Sequence, residues 1–165
     1  MRSIKAVSTL LLALLICSRV LSQHYKKDSI PPPLGYVNDF ENIFSTQQNH
    51  FLDSTIRAFE KRTTIQIAII TVDTTMVSKQ DFGDYIVKIA NRWGIGQKDK
   101  NNGIAIGLSR QYRQIRIATG YGMEAKLSNV ETKTIIDTAF VPYFKKGQYF
   151  EGAVHGLTAV MKKVQ

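Results

Sequence analysis

Ile65-Gln66-Ile67-Ala68-Ile69-Ile70-Thr71-Val72 is β-branched and almost continuously apolar. A half-exposed strand alternates apolar and polar residues. This stretch does not, so it predicts a central strand covered on both faces. After it, Phe82, Tyr85, Ile86, Ile89, Ala90 and Trp93 fall at helical spacing. They predict a helix over about 79–93, ended by Gly94. A second buried strand follows at 103–109. Strand, helix and strand together predict a right-handed crossover. Residues 114–119 alternate, with Ile115 and Ile117 to one side and Arg116 to the other. That is an outer, half-exposed strand.

On the N-terminal side, Ser45 caps a helix running to about Arg62, and Gln48 completes a capping box. The apolar stripe of that helix is Leu52, Ile56 and Phe59. Tyr36-Val37-Asn38-Asp39 predicts a short strand ending in a turn. On the C-terminal side, a helix over about 130–140 turns Ile136, Ala139 and Phe140 inward, and Pro142 interrupts it. A last helix, about 149–164, carries one stripe from Phe150 to Val164. Helices and strands alternate, so the class is α/β. The expected architecture is a three-layer α/β/α sandwich with a small mixed β-sheet and helices on both faces.

The chain is expected to hold a single α/β domain over 36–164. Before it, Arg2 and Lys5 precede an apolar run over 6–17, and Val20-Leu21-Ser22 offers a small residue before a cut ahead of Gln23. This predicts a secretory signal over 1–22, too short for a stable membrane anchor. Residues 23–35, with Pro31-Pro32-Pro33, predict an extended leader. Export to a periplasm or to the outside follows. So does the absence of a membrane span from the mature chain. Loss of Arg2, Lys5 and Arg19 takes the formal charge from +9 to +6. The basic residues are scattered rather than interleaved with aromatics, so no nucleic-acid partner is expected. The one cysteine lies in the signal, which excludes a disulfide, a thiol nucleophile or a Cys-ligated zinc in the mature domain. His24, His50 and His155 lack metal-motif spacing.

Two glycine-bounded turns flank the 104–108 strand. The first is Trp93-Gly94-Ile95-Gly96, continuing to Asn101-Asn102-Gly103. The second is Gly120-Tyr121-Gly122-Met123-Glu124. If 104–108 and 114–119 pair as a hairpin, both turns meet at one sheet edge. Gly94-Ile95-Gly96 follows a helix instead of opening one, so no nucleotide cofactor is expected. Asp99, Asn101 and Glu124 supply hard oxygen donors suited to Ca2+ or Mg2+. Asp39 is a further candidate. It joins Glu124 if strand 36–39 runs antiparallel to 65–72, and lies at the opposite edge if the two are parallel. Arg110, Arg113 and Arg116 surround the hairpin tip, where charge is common and an anion can also bind. No nucleophile elbow and no His/Asp pairing is legible.

Taken in order, these pieces resemble the TPM domain family. They are Val37-Asn38-Asp39, Ile65 to Val72, Trp93-Gly94-Ile95-Gly96 with Asn101-Asn102-Gly103-Ile104, and Arg116-Ile117 with Gly120-Tyr121-Gly122-Met123-Glu124. Phe144-Lys145-Lys146-Gly147-Gln148-Tyr149-Phe150-Glu151-Gly152 completes the set. The resemblance implies an α/β/α sandwich that binds divalent cations through acids, with Asp39 and Glu124 at acidic positions of the pattern. It also implies either an acid phosphatase or an accessory to the repair or assembly of membrane-protein complexes. Two positions depart from the pattern: Ser128-Asn129 replaces an expected acid, and Ser109-Arg110-Gln111-Tyr112-Arg113 carries none. The membrane span and glycine-rich tail of many bacterial relatives are not expected here either. These features favour an exported accessory module that binds a cation or an envelope protein partner at the 93–103/120–124 edge. The alternative is a metal-assisted phosphomonoesterase using Asp39, Asp99 and Glu124.

Overall fold

The computed structural model describes residues 28–165. The stretch over 1–22 expected to be a signal, His24 and the start of the expected leader lie outside the described residues. The described chain forms a four-stranded mixed sheet with helices on both faces. Strand β1 is Val37–Asp39, β2 Gln66–Thr71, β3 Gly103–Ser109 and β4 Gln114–Thr119. They lie in the order β1-β2-β3-β4. The first three are parallel and β4 returns antiparallel to β3.

Helix α1, Thr46–Thr63, opens with the expected capping box. The Ser45 hydroxyl accepts from Gln48 N–H, and the Gln48 side chain accepts from Ser45 N–H. Leu52, Ile56 and Phe59 are fully buried against Ile67, Ile69, Ile104 and Ile106. Helix α2, Phe82–Trp93, covers the other face. Its Phe82, Tyr85, Ile86 and Ile89 pack on Ala68, Ile70, Val72 and Ala105. Strands β2 and β3 are therefore buried on both sides, which is why their sequences do not alternate. Both crossovers, β1-α1-β2 and β2-α2-β3, step the same way across the sheet, yet their helices lie on opposite faces. Two such crossovers have opposite hands, so only one of them obeys the right-handed rule.

The C-terminal helices share the face of α1. Helix α3 is Asn129–Ile135, followed by a π-helical stretch, Ile136–Phe140, helix α4, Val141–Phe144, and helix α5, Tyr149–Val164. Pro142 does not break the chain as expected. Val141 N–H reaches back to the Ile136 carbonyl through the π turn, and the helix continues through the proline. Gly152 and Gly156 form notches on α5. A Cβ at Gly156 would stand 2.1 Å from the Phe140 ring, and one at Gly152 would stand 2.4 Å from Phe144.

The described part of the leader, residues 28–35, is hydrogen-bonded to the domain. Asp28 N–H donates to the Met76 carbonyl, Tyr85 Oη to the Ser29 carbonyl and Trp93 Nε1 to the Pro31 carbonyl. These bonds strap it across α2. Burial, with Asp28 nearby, pushes the Tyr85 hydroxyl up to about 12. Among the described residues, no helix is long and apolar enough to cross a membrane.

Candidate functional site

The hairpin register sets Ile104 against Thr119, so the two glycine-bounded turns do meet at one sheet edge. Gly120 N–H donates to the Gly103 carbonyl and Gly122 N–H to the Asn101 carbonyl. The backbones approach so closely that a Cβ at Gly103 would lie 1.9 Å from the Ile95 carbonyl oxygen. One at Gly122 would lie 2.0 Å from the Lys100 oxygen. These glycines are required by contact between loops. Gly94 supplies the left-handed end of α2 with φ 65°, and Gly96, at φ 111°, donates its N–H to Gln66 Oε1.

Asn102 is the buried centre of this knot. Its Oδ1 accepts from Gln97 N–H and its Nδ2 donates to the Thr64 carbonyl, both at 2.8 Å. It thereby ties the 94–103 loop to the left-handed residue that ends α1. Trp93 is half-buried, with its ring nitrogen committed to the leader. Each polar atom of these two side chains already has a partner within the domain.

What remains open is a cleft of about 380 Å³ beside the knot. Ala90, Ala105 and Ala118 contribute small side chains to it. Its polar lining includes Asn101, Arg116, Tyr121 and Glu124, with Asn91, Thr119 and Asn129 beside them. Tyr121 is 83% exposed. Asp99 lies in the exposed turn before Asn101, at the same end of the sheet but outside the cleft lining.

Asp39 is elsewhere. β1 runs parallel to β2 and pairs Asp39 with Thr71, at the far end of the strands from Gly103 and Glu124. The proposed set of Asp39, Asp99, Asn101 and Glu124 is therefore divided between two ends of the sheet. Asp39 is also occupied. Its Oδ1 accepts from Thr71 Oγ1 at 2.7 Å and from Ile43 N–H, and its Oδ2 accepts from Phe44 N–H. It shapes the turn leading into α1. Among the described residues, no three His, Cys, Asp or Glu side chains form a group able to hold a metal.

Sequence reasoning missed Glu41. It is 6% exposed, and its two oxygens accept from the Arg110 and Gln111 amides of the β3–β4 turn at 2.7 and 2.8 Å. Burial raises its pKa above the usual glutamate value, against the opposing pull of those amides. Gln111 also bridges to Asp73 and Thr74. Nothing local marks Glu41, because its partners lie about 70 residues away along the chain.

A mixed sheet between two helical layers, with glycine turns crossing at one edge and a small mixed-polarity cleft beside them, defines the class as an α/β domain. A family model described as the TPM domain matches residues 37–163, and the chain belongs to that family. It is similar to the solution structure of the N-terminal domain of a protein from P. gingivalis. That likeness has 29% identity and TM-score 0.70, covering 78% of this chain and 80% of the other. It shares its fold with the BA42 protein of the psychrophilic bacterium Bizionia argentinensis, at 20% identity and TM-score 0.65, over 75% and 83% of the two chains. It also shares it with the N-terminal domain of cg2496 from Corynebacterium glutamicum, at 12% identity and TM-score 0.56, over 84% and 85%. Among curated proteins, no sequence matches it.

Proposed function

We propose that this TPM domain is a non-catalytic binding module, exported to the cell envelope, that serves as an accessory in maintaining membrane-protein complexes. Its working surface is the 93–103/120–124 edge. There Asn101 and Glu124 offer oxygen ligands to Ca2+ or Mg2+, and exposed Tyr121 offers an aromatic contact to a protein partner. Export rests on the charged and apolar pattern of residues 1–22.

The observation that carries this reading over a phosphatase is the parallel pairing of β1 with β2. It puts Asp39 and Glu124 at opposite ends of the sheet and commits both Asp39 oxygens to the chain's own donors. A three-carboxylate site for metal-assisted phosphoryl transfer is not assembled.

The test is calorimetric titration of the protein with Ca2+ and Mg2+, alongside Glu124→Gln, with p-nitrophenyl phosphate hydrolysis measured in parallel. Saturable binding lost in Glu124→Gln, without hydrolysis, supports a cation-binding edge. Absence of heat at millimolar cation turns the edge over to a protein partner. Cation-dependent hydrolysis abolished by Asp39→Asn overturns the proposal.

A further inference from the structure

A second and larger cleft, about 600 Å³, opens at the other end of the sheet, between the start of β4 and helix α4. It lies on the face of α1 and α5 and takes no part in the edge described above. Its walls are Ile115, Ile136, Val141 and Phe144, and its charged lining is Arg113 and Lys145. No acidic residue lines it.

The cleft follows from the local packing. The Phe144 ring sits against the Gly152 notch of α5, in contact with Phe140 and Tyr149. Ile115 and Ile136 lie at the margin of the main core and stay only half-buried around the space. An apolar pocket of this size matches small-molecule sites, which run to roughly 300–1,000 Å³.

The two cations decide the ligand class. Neither the Arg113 nor the Lys145 side chain has an ion-pair or hydrogen-bond partner among the described residues. Arg113 also holds a left-handed backbone, φ 54°, in the β3–β4 turn. Glycine or asparagine takes that conformation more cheaply than arginine does. An arginine there, beside an apolar cleft and without a carboxylate, is placed to meet an anion from outside. Guanidinium binds carboxylates through two parallel hydrogen bonds.

We propose that this cleft binds a small amphiphilic anion: an apolar tail lying among Ile115, Ile136, Val141 and Phe144, with a carboxylate head held by Arg113 and Lys145. The apolar walls supply affinity and the two cations supply selectivity for the sign of the head. The inference is independent of the cation-binding edge, since the two sites share no lining residue.

The test uses decanoate, with acetate, inorganic phosphate and decylammonium as comparison probes, titrated by calorimetry below micelle formation. The expected result is saturable decanoate binding, with acetate, phosphate and decylammonium at least tenfold weaker. Arg113→Gln with Lys145→Gln should weaken decanoate at least about tenfold, the scale of one charge-assisted hydrogen-bonded pair. Arg92→Gln, exposed on α2 and outside both clefts, should leave it unchanged. Both variants change exposed side chains, so a melting curve separates loss of binding from loss of fold. Three results overturn the proposal. They are no saturable decanoate binding, equal binding of decylammonium, and unchanged decanoate affinity in the folded double variant.

Discussion

Asn102→Ala separates a ligand-binding reading of the glycine-bounded turns from the structural one. Asn102 is 6% exposed and makes two hydrogen bonds at 2.8 Å, one from Gln97 N–H and one to the Thr64 carbonyl. Alanine removes both partners at once and leaves a backbone donor and a backbone acceptor unpaired. Each such orphan costs about 1–3 kcal/mol when buried. Gln97 and Thr64 are half-buried, so water recovers part of that cost. The expected loss is about 2–4 kcal/mol, which lowers Tm by on the order of 5–15 °C for a domain of this size. The assay is urea and thermal unfolding followed by circular dichroism, with Asp99→Asn and Glu124→Gln run beside it. Those two side chains are exposed, and their substitutions should stay within about 0.5 kcal/mol. If Asn102→Ala is as mild as they are, the side chain does not hold the knot and the reasoning fails.

Gly156→Ala should destabilise by about 1–3 kcal/mol through overlap with Phe140. Phe140→Leu combined with it should recover part of the loss in the same melts. Tyr85→Phe removes the hydroxyl that holds the leader at the Ser29 carbonyl and should cost about 1 kcal/mol. Trp93, which holds the next residue but one, should report the loosened strap as a fluorescence change. Burial gives Glu41 a higher pKa in the fold than in the unfolded chain, so the native state holds that proton more tightly. Its contribution therefore falls as pH rises from the ordinary glutamate value to the folded one. Above that it is flat. Urea midpoints of the protein and Glu41→Gln, compared from pH 4 to 8, should show this slope only where Glu41 is present. Glu131 moves the other way. The Lys163 ammonium, helped by Ser128, holds it down at about 2. Its contribution is present above the ordinary glutamate value and lost as pH falls toward 2, so the gap between the protein and Glu131→Gln should close by pH 2.

The elements that local pattern specifies were legible. The capping box at Ser45, the stripe of α1, the two-faced strands β2 and β3 and the alternating β4 all emerge from nearest-neighbour chemistry. The meeting of the two turns was also legible, because a hairpin has only one way to bring its ends together. The direction of β1 was not. Three residues carry no signal for parallel against antiparallel pairing, and that single choice decides whether Asp39 joins Glu124. Pairings distant in sequence were equally hidden. Glu41 with the β3–β4 turn, the leader across α2, and the Gly152 and Gly156 notches under Phe144 and Phe140 each depend on two segments meeting. The π turn escaped for a related reason. Pro142 reads as a break, and only the register of the preceding helix shows that one wider turn absorbs it.

The opposite hands of the two crossovers follow from what the middle strands must bury. Ile67, Ile69, Ile104 and Ile106 face one side, and Ala68, Ile70, Val72 and Ala105 face the other. Two right-handed crossovers stepping the same way would stack α1 and α2 on a single face. The other face would then show Ile70 and Val72 to water, and each such side chain is worth about 1.5–3 kcal/mol when buried. The helices C-terminal to β4 cannot serve as the missing cover, because they complete the larger core with α1. Small residues make the alternative practicable. Gly107 has no side chain where Ile86 of α2 comes down; a Cβ there would stand 2.3 Å from it. The same preference for small residues on this face, at Ala90, Ala105 and Ala118, leaves the cleft beside the Gly120–Gly122 turn. The proposed binding edge is thus a consequence of how α2 seats on the sheet. Bulk added at Ala105 or Ala118 should close the cleft before it disturbs the hydrogen-bonded knot beside it.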